Sequence, residues 1–171
     1  MAGGIRTSGA NLAGKIIAST WFLLAALDSP AEPDLRFAKR FQMPGSSAVV
    51  VVAEGDFEPR SIGSYALRVY GGASKNSTGD FVAGVIWSRK GIIEAVRFDD
   101  IDGDDRREIV VITRSVGSGG YLSADAFRYR GRSLEWLASV SDLDKRADPI
   151  QALRNKVPAQ KNSLAAPEIR E

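Results

Sequence analysis

The chain predicts an all-β fold, an antiparallel β-sandwich or flattened barrel of about eight strands. Three observations predict it. Short apolar segments recur between clusters of glycine, proline, asparagine, serine and aspartate. Within several of them, apolar and polar residues alternate with a period of two. No long run shows the 3.6-residue period of an amphipathic helix.

The elements follow in chain order. Arg6 and Lys15 are the only charges ahead of an apolar run from Ile16 to Leu27, and small residues follow at Ser29 and Ala31. A basic start, a short apolar core and a small-residue exit describe a secretory signal peptide, residues 1–31, cleaved after Ala31. The run is too short for a membrane span, which needs about 20 residues, so no membrane association is expected after cleavage. Residues 32–141 form the expected β-domain. Its strands are expected at 37–42, 48–53, 65–70, 81–88, 92–98, 108–114, 121–130 and 134–140. Tyr65, Leu67 and Val69 share one face, opposite Arg68. Leu134, Trp136, Ala138 and Val140 are expected to share another, opposite Glu135 and Ser139. The runs Val49–Val52 and Ile109–Ile112 are continuously apolar and β-branched, as central strands covered on both faces would be. Residues 142–171 read as a polar tail. It has one short helix at 148–156, where Ile150, Leu153 and Val157 recur at helical spacing, and expected disorder beyond Pro158.

Composition narrows function. The 171 residues contain no cysteine and no histidine, and the net charge is +2 with both signs interspersed. Disulfides, thiolate metal sites and cysteine nucleophiles are excluded, as are histidine general bases and imidazole ligands. The charge is too weak and scattered for a nucleic-acid footprint. A serine or cysteine triad is impossible. Only a serine–lysine pair or two carboxylates, such as those among Glu54, Asp56 and Glu58, are left for catalysis, and nothing marks a pair with opposed environments. The residues Gly117-Ser118-Gly119-Gly120 precede a strand, whereas a phosphate loop opens a helix and carries a lysine. The chain is therefore expected not to be an enzyme.

An acidic segment, Asp100-Ile101-Asp102-Gly103-Asp104 with Glu108, resembles a calcium loop, because carboxylates at alternating positions can converge on a hard cation. An EF-hand fits poorly. Its twelfth position falls on Val111, Asp105 stands where its glycine belongs, and strands flank the segment. A polar hairpin turn, in which aspartates bond their own backbone, accounts for the same residues. No metal ligand and no cofactor are expected. A cation- or carbohydrate-binding β module stands as the alternative function.

The most informative stretch runs from Phe81 to Phe127: FVAGVIWSRKGIIEAVRFDDIDGDDRREIVVITRSVGSGGYLSADAF. Its paired apolar strands, acidic hairpin turn and Ser118-Gly119-Gly120-Tyr121 segment resemble the periplasmic inhibitors of invertebrate-type (i-type) lysozyme, whose inhibitory loop reads Ser-Gly-x-Tyr. The flanking Arg114-Ser115-Val116-Gly117 and the upstream run from Val52 to Arg60 extend the likeness to most of residues 48–140. The resemblance implies a β-sandwich, often dimeric, in the periplasm. It also implies that Ser118, Gly119, Gly120 and Tyr121 enter the active-site cleft of a lysozyme of the invertebrate type, with Arg114 and Ser115 flanking the contact. The residue types suit that task. Ser118 offers a hydroxyl to a carboxylate, the glycines allow positive φ and close approach, and Tyr121 brings a flat ring with a polar tip.

Overall fold

The computed structural model describes residues 36–72 and 79–158; the expected signal peptide and the tail beyond Pro158 lie outside them. The β-branched and aromatic segments form eight strands: β1 (Ala38–Gln42), β2 (Val49–Glu54), β3 (Ile62–Tyr70), β4 (Phe81–Lys90), β5 (Ile92–Asp99), β6 (Glu108–Arg114), β7 (Leu122–Arg130) and β8 (Ser133–Leu143). One helix follows, α1 (Pro149–Lys156). The strands make two four-stranded antiparallel sheets, ordered β1-β2-β3-β4 and β5-β6-β7-β8. The architecture is the sandwich, not the barrel.

A single residue, Gly91, carries the chain from one sheet to the other. Its φ is +88°, and a Cβ there would lie 2.0 Å from the Arg114 carbonyl oxygen. Only glycine fits a corner that is both left-handed and this close to another backbone.

The first core cluster lies between the sheets. Val50, Val52, Tyr65, Leu67 and Val69 pack with Ile93, Ile109, Val111 and Phe127. The Tyr65 hydroxyl donates to Asp125 Oδ2 across the sandwich at 3.1 Å. Burial first, and then the Asp125 charge, push the Tyr65 phenol far above its ordinary pKa. A second cluster covers the other face of the β5–β8 sheet: Val110, Ile112, Leu122, Ala124, Ala126 and Ala138 meet Ile150 and Leu153 of α1. This is why β6 is continuously apolar from Ile109 to Ile112; its residues from Glu108 to Thr113 are all buried. The Val49–Val52 run departs from that expectation. Val51 keeps solvent contact, because no second layer covers the outer face of the β1–β4 sheet among the described residues.

The helix begins where sequence chemistry places it. Asp148 caps it by accepting from the Ile150 amide at 2.9 Å, and Pro149 occupies the first turn. The tail expected from residue 142 is thus partly core: β8 runs on to Leu143, and α1 buries Ile150 and Leu153.

The expected common face of Leu134, Trp136, Ala138 and Val140 is corrected by the structure. The pairing of β7 with β8 shifts register between Ala126 and Phe127, whose partners are Ala138 and Trp136. The extra residue, Leu137, breaks the alternation. Leu134 therefore packs on the cluster between the sheets, and Ala138 and Val140 on the one beneath α1. Trp136 stacks on Trp87 at 6.1 Å between ring centroids.

Candidate functional site

The segment 115–121 joins β6 to β7 at the Gly91 end of the sandwich. Two backbone bonds shape it. The Ser115 amide donates to the Tyr121 carbonyl at 2.9 Å and closes the base; the Gly120 amide donates to the Gly117 carbonyl at 3.1 Å and tightens the tip. Gly120 sits at φ +55°, a conformation that glycine adopts without strain. Gly119 has no side chain where the Tyr121 ring folds back, since a Cβ there would be 2.3 Å from Tyr121 Cε2. The ring lies along the loop with about half its surface exposed.

Arg114 ties this loop to the sheet. Its Nη1 donates to the Gly120 carbonyl at 2.9 Å, and its Nη2 to Glu94 Oε1 at 2.9 Å, while Nε meets the other Glu94 oxygen. The bond to Glu94 is the main reason that the Arg114 pKa is raised. A bidentate fork fixes a guanidinium in orientation as well as position. Glu94 reaches Arg114 because the β5–β6 register shifts between Ile93 and Ala95, leaving Glu94 as the bulged residue. A bulge re-aims the side chain it carries.

The structure brings the six expected residues together, five in the 115–121 loop and Arg114 at the end of β6 beside it. Ser118 is exposed, and among the described residues its hydroxyl makes no hydrogen bond; Gly119, Gly120 and Tyr121 complete the tip, and Arg114 braces it from beneath. Ser115 differs. Its hydroxyl is buried without a partner, so Ser115 contributes backbone at the loop base and no side-chain group to its surface. Glu94 is the brace that sequence reasoning missed. Its signal, an acidic residue between the apolar Ile93 and Ala95, becomes specific only once the bulge is known.

Two of the three carboxylates considered for catalysis, Glu54 and Glu58, have structural partners. Glu54 is buried and accepts from the Ile93 amide at 2.6 Å. Glu58 accepts from the Ser64 amide at 2.5 Å and from its hydroxyl at 2.7 Å. These bonds, the amide's first, hold the Glu58 carboxyl below the ordinary carboxylate range.

The acidic turn, 100–107, lies at the opposite end of β6, roughly 20 Å from the loop at about 3.3 Å per residue. Its aspartates bond their own backbone as a polar hairpin turn would. Asp100 accepts from the amides of Gly103 at 2.7 Å and Asp105 at 3.1 Å, and Asp104 from that of Arg106 at 2.9 Å. Oxygens of Asp100, Asp102 and Glu108 come within 4.8 Å of one another. Arginines of β7 bring positive charge to them: Arg128 pairs with Asp102, and Arg130 with Asp104 at 3.0 Å. Burial is the chief cause that pushes the Glu108 carboxyl up, with the charges of Asp102 and Asp104 adding to it.

Comparisons with known proteins bear on the fold and the family. The family model described as the periplasmic lysozyme inhibitor of I-type lysozyme, PliI, matches residues 35–157. No curated protein matches the chain. Two crystal structures share the fold. One is PliI-Ah, a periplasmic lysozyme inhibitor of I-type lysozyme from Aeromonas hydrophila. It is 40% identical, with a TM-score of 0.64, over 68% of this chain and 98% of that one. The other is Aeromonas hydrophila PliI in complex with Meretrix lusoria lysozyme. It is 41% identical, also with a TM-score of 0.64, over 71% of this chain and 97% of that one.

Proposed function

The chain belongs to the family of periplasmic lysozyme inhibitors of I-type lysozyme, and from that premise we propose that it protects peptidoglycan by seating residues 118–121 in the active-site cleft of an invertebrate-type lysozyme. It is a periplasmic lysozyme inhibitor, and lysozyme is its partner. The observation that supports the loop assignment is the braced tip: Ser118 is exposed and Tyr121 half exposed on a turn whose base Arg114 and Glu94 hold.

The chemistry follows from what a lysozyme cleft contains. The enzyme flanks the glycosidic bond with a protonated carboxylic acid and a second carboxylate. Ser118 offers a hydroxyl that can donate to either and accept from a backbone amide. The Tyr121 ring fills the space of a sugar and keeps its phenol at the wet end. Gly119 and Gly120 keep the probe thin enough to enter. The loop presents no glycosidic bond, so occupancy blocks the cleft without turnover. Because the brace orders the loop beforehand, docking loses little conformational entropy. The chain acts as a binding protein and not as an enzyme. It has neither histidine nor cysteine, and Glu54 and Glu58 are occupied within the fold.

The test is lysis of bacterial cells by invertebrate-type, chicken-type and goose-type lysozymes with the purified protein present. Saturable inhibition of the invertebrate type is expected. Ser118→Ala and Tyr121→Ala should each weaken it while leaving the circular dichroism spectrum and melting temperature in place. If both variants inhibit as the parent does, the loop is not the plug.

A further inference from the structure

A second loop stands beside the first. Residues 55–61 join β2 to β3 at the same end of the sandwich, and Gly91 connects the two. The Gly91 amide donates to the Ser61 carbonyl at 2.8 Å, while on its other side a Cβ would stand 2.8 Å from Ser115 Cα. At the tip of this second loop Phe57 lies fully in solvent, 102% exposed, at φ +61°.

Both properties are unfavourable, and the loop is built to keep them. A left-handed backbone costs a non-glycine residue about 1–3 kcal/mol and persists only where the surroundings impose it. Here they do. The Glu58 carboxylate folds back to take the Ser64 amide and hydroxyl, in a niche left by Gly55 and Gly63, where Cβ atoms would sit 2.6 and 2.3 Å from it. The Gly55 amide donates to the Ser64 carbonyl at 3.0 Å. Guanidiniums hold three successive carbonyls: Arg36 that of Glu58 at 2.6 Å, and the fully buried Arg89 those of Pro59 at 3.3 Å and Arg60 at 3.1 Å. None of this network touches the Phe57 ring. A rigid loop thus displays an aromatic side chain that contributes nothing to the core, at a strained φ that any glycine would relieve.

Exposed apolar side chains gather at this end. Phe57, Ile62, Val116 and Tyr121 are four of the seven large hydrophobic residues exposed among the described residues, and all four stand at this end, on the two loops or at the start of β3. Aromatic anchors surrounded by lesser contacts are the usual pattern of a tight protein interface.

We propose that Phe57 is a second anchor for lysozyme, seated on an apolar patch beside the cleft while Tyr121 occupies the cleft itself. The proposal rests on the loop reading above and deepens it: the inhibitor grips with two prongs, one from each sheet. The partner must then present two features, an acidic groove for Ser118 and Tyr121 and an apolar shelf on its rim. The second decides which lysozymes are held, because any lysozyme has the first.

Binding of the whole protein to an invertebrate-type lysozyme, measured by biolayer interferometry with Phe57→Ala, Phe57→Gly and Tyr121→Ala, tests this. Phe57→Ala should raise Kd about ten- to a hundredfold, the change that burying one aromatic ring supports, and chiefly through koff. Phe57→Gly should weaken binding equally and yet raise the melting temperature, because glycine relieves the left-handed strain. That combination separates an anchor from a residue that merely shapes the fold. If both Phe57 variants bind as the parent does while Tyr121→Ala fails, the second anchor is refuted and the plug stands. If Tyr121→Ala binds as the parent does while the Phe57 variants fail, Phe57 is an anchor and the plug reading falls. If all three bind as the parent does, both fall.

Discussion

Replacing Gly91 with alanine tests whether the corner between the sheets sets the position of the proposed inhibitory loop. The new Cβ would stand 2.0 Å from the Arg114 oxygen, 2.5 Å from its carbonyl carbon and 2.8 Å from Ser115 Cα. Ordinary contact begins at about 3.5 Å, so the two backbones must part by more than about 1 Å. The Gly91 amide is tied to the Ser61 carbonyl, so the opening falls on the end of the β5–β6 ladder. Loss of about two backbone bonds there costs roughly 2 kcal/mol. The left-handed conformation at φ +88° costs an alanine a further 1–2 kcal/mol or so. Gly45 isolates the second contribution. It sits at φ +71° with nothing within 4 Å of its missing Cβ, so Gly45→Ala bears the conformational cost alone. Thermal unfolding should fall by about 10–15 °C for Gly91→Ala and about 4–8 °C for Gly45→Ala, at roughly 4 °C per kcal/mol for a domain of this size. Well below either midpoint, lysis assays should show weaker inhibition by Gly91→Ala only, because Arg114 and Ser115 move with the loop. Equal drops in melting temperature, or full inhibition by Gly91→Ala, would refute the argument.

Two further predictions concern the fold that carries the loops. The folded-state pKa of Glu58 is depressed below its ordinary 4.5, so the ionised form contributes stability above that value and the contribution is lost as pH falls through the lowered one. Glu58→Gln should therefore be less stable than the parent near pH 6, with the gap closing toward pH 3; urea titrations at both pH values would show a constant gap if the charge is irrelevant. Leu153 of α1 is completely buried, and Leu153→Ala should cost about 2–5 kcal/mol in a urea titration. A loss below about 1 kcal/mol would mean that the helix does not support the sheet it covers.

Much of this was readable from residue order. Strand alternation locates Tyr65, Leu67 and Val69 on the core side, and the continuous run Ile109–Ile112 marks a strand covered twice, because periodicity reports burial directly. The proposed inhibitory tip rests on short-range chemistry too: two glycines, a hydroxyl and an aromatic in four residues. What escaped depends on single-residue register. The bulge at Leu137 reassigns Trp136 to the other face, and the bulge at Glu94 creates the Arg114 brace. A period-two pattern cannot reveal an extra residue whose partner strand is unknown. Phe57 escaped for a different reason. An aromatic between Asp56 and Glu58 reads as ordinary in sequence, and only the fixed left-handed backbone turns it outward. Ser115 shows the same limit, because residue order does not reveal that the hydroxyl of this serine, beside the proposed contact loop, is buried.

The order of the sheets bears on how this protein reaches its native state. Every hydrogen-bonded ladder joins strands consecutive in the chain, and the step from one sheet to the other takes a single residue. Each strand can therefore zip onto its predecessor at small loop-closure cost, and pairing between sequence neighbours favours rapid folding within each sheet. Closure of one meander upon the other about the Gly91 corner is left as the step that joins residues far apart in sequence, such as Tyr65 and Asp125. Without disulfides to lock partial structures, a chain that assembles by neighbouring hairpins spends little time with unpaired strand edges. That limits the interval in which it could aggregate or be cut by proteases before its two loops are in place.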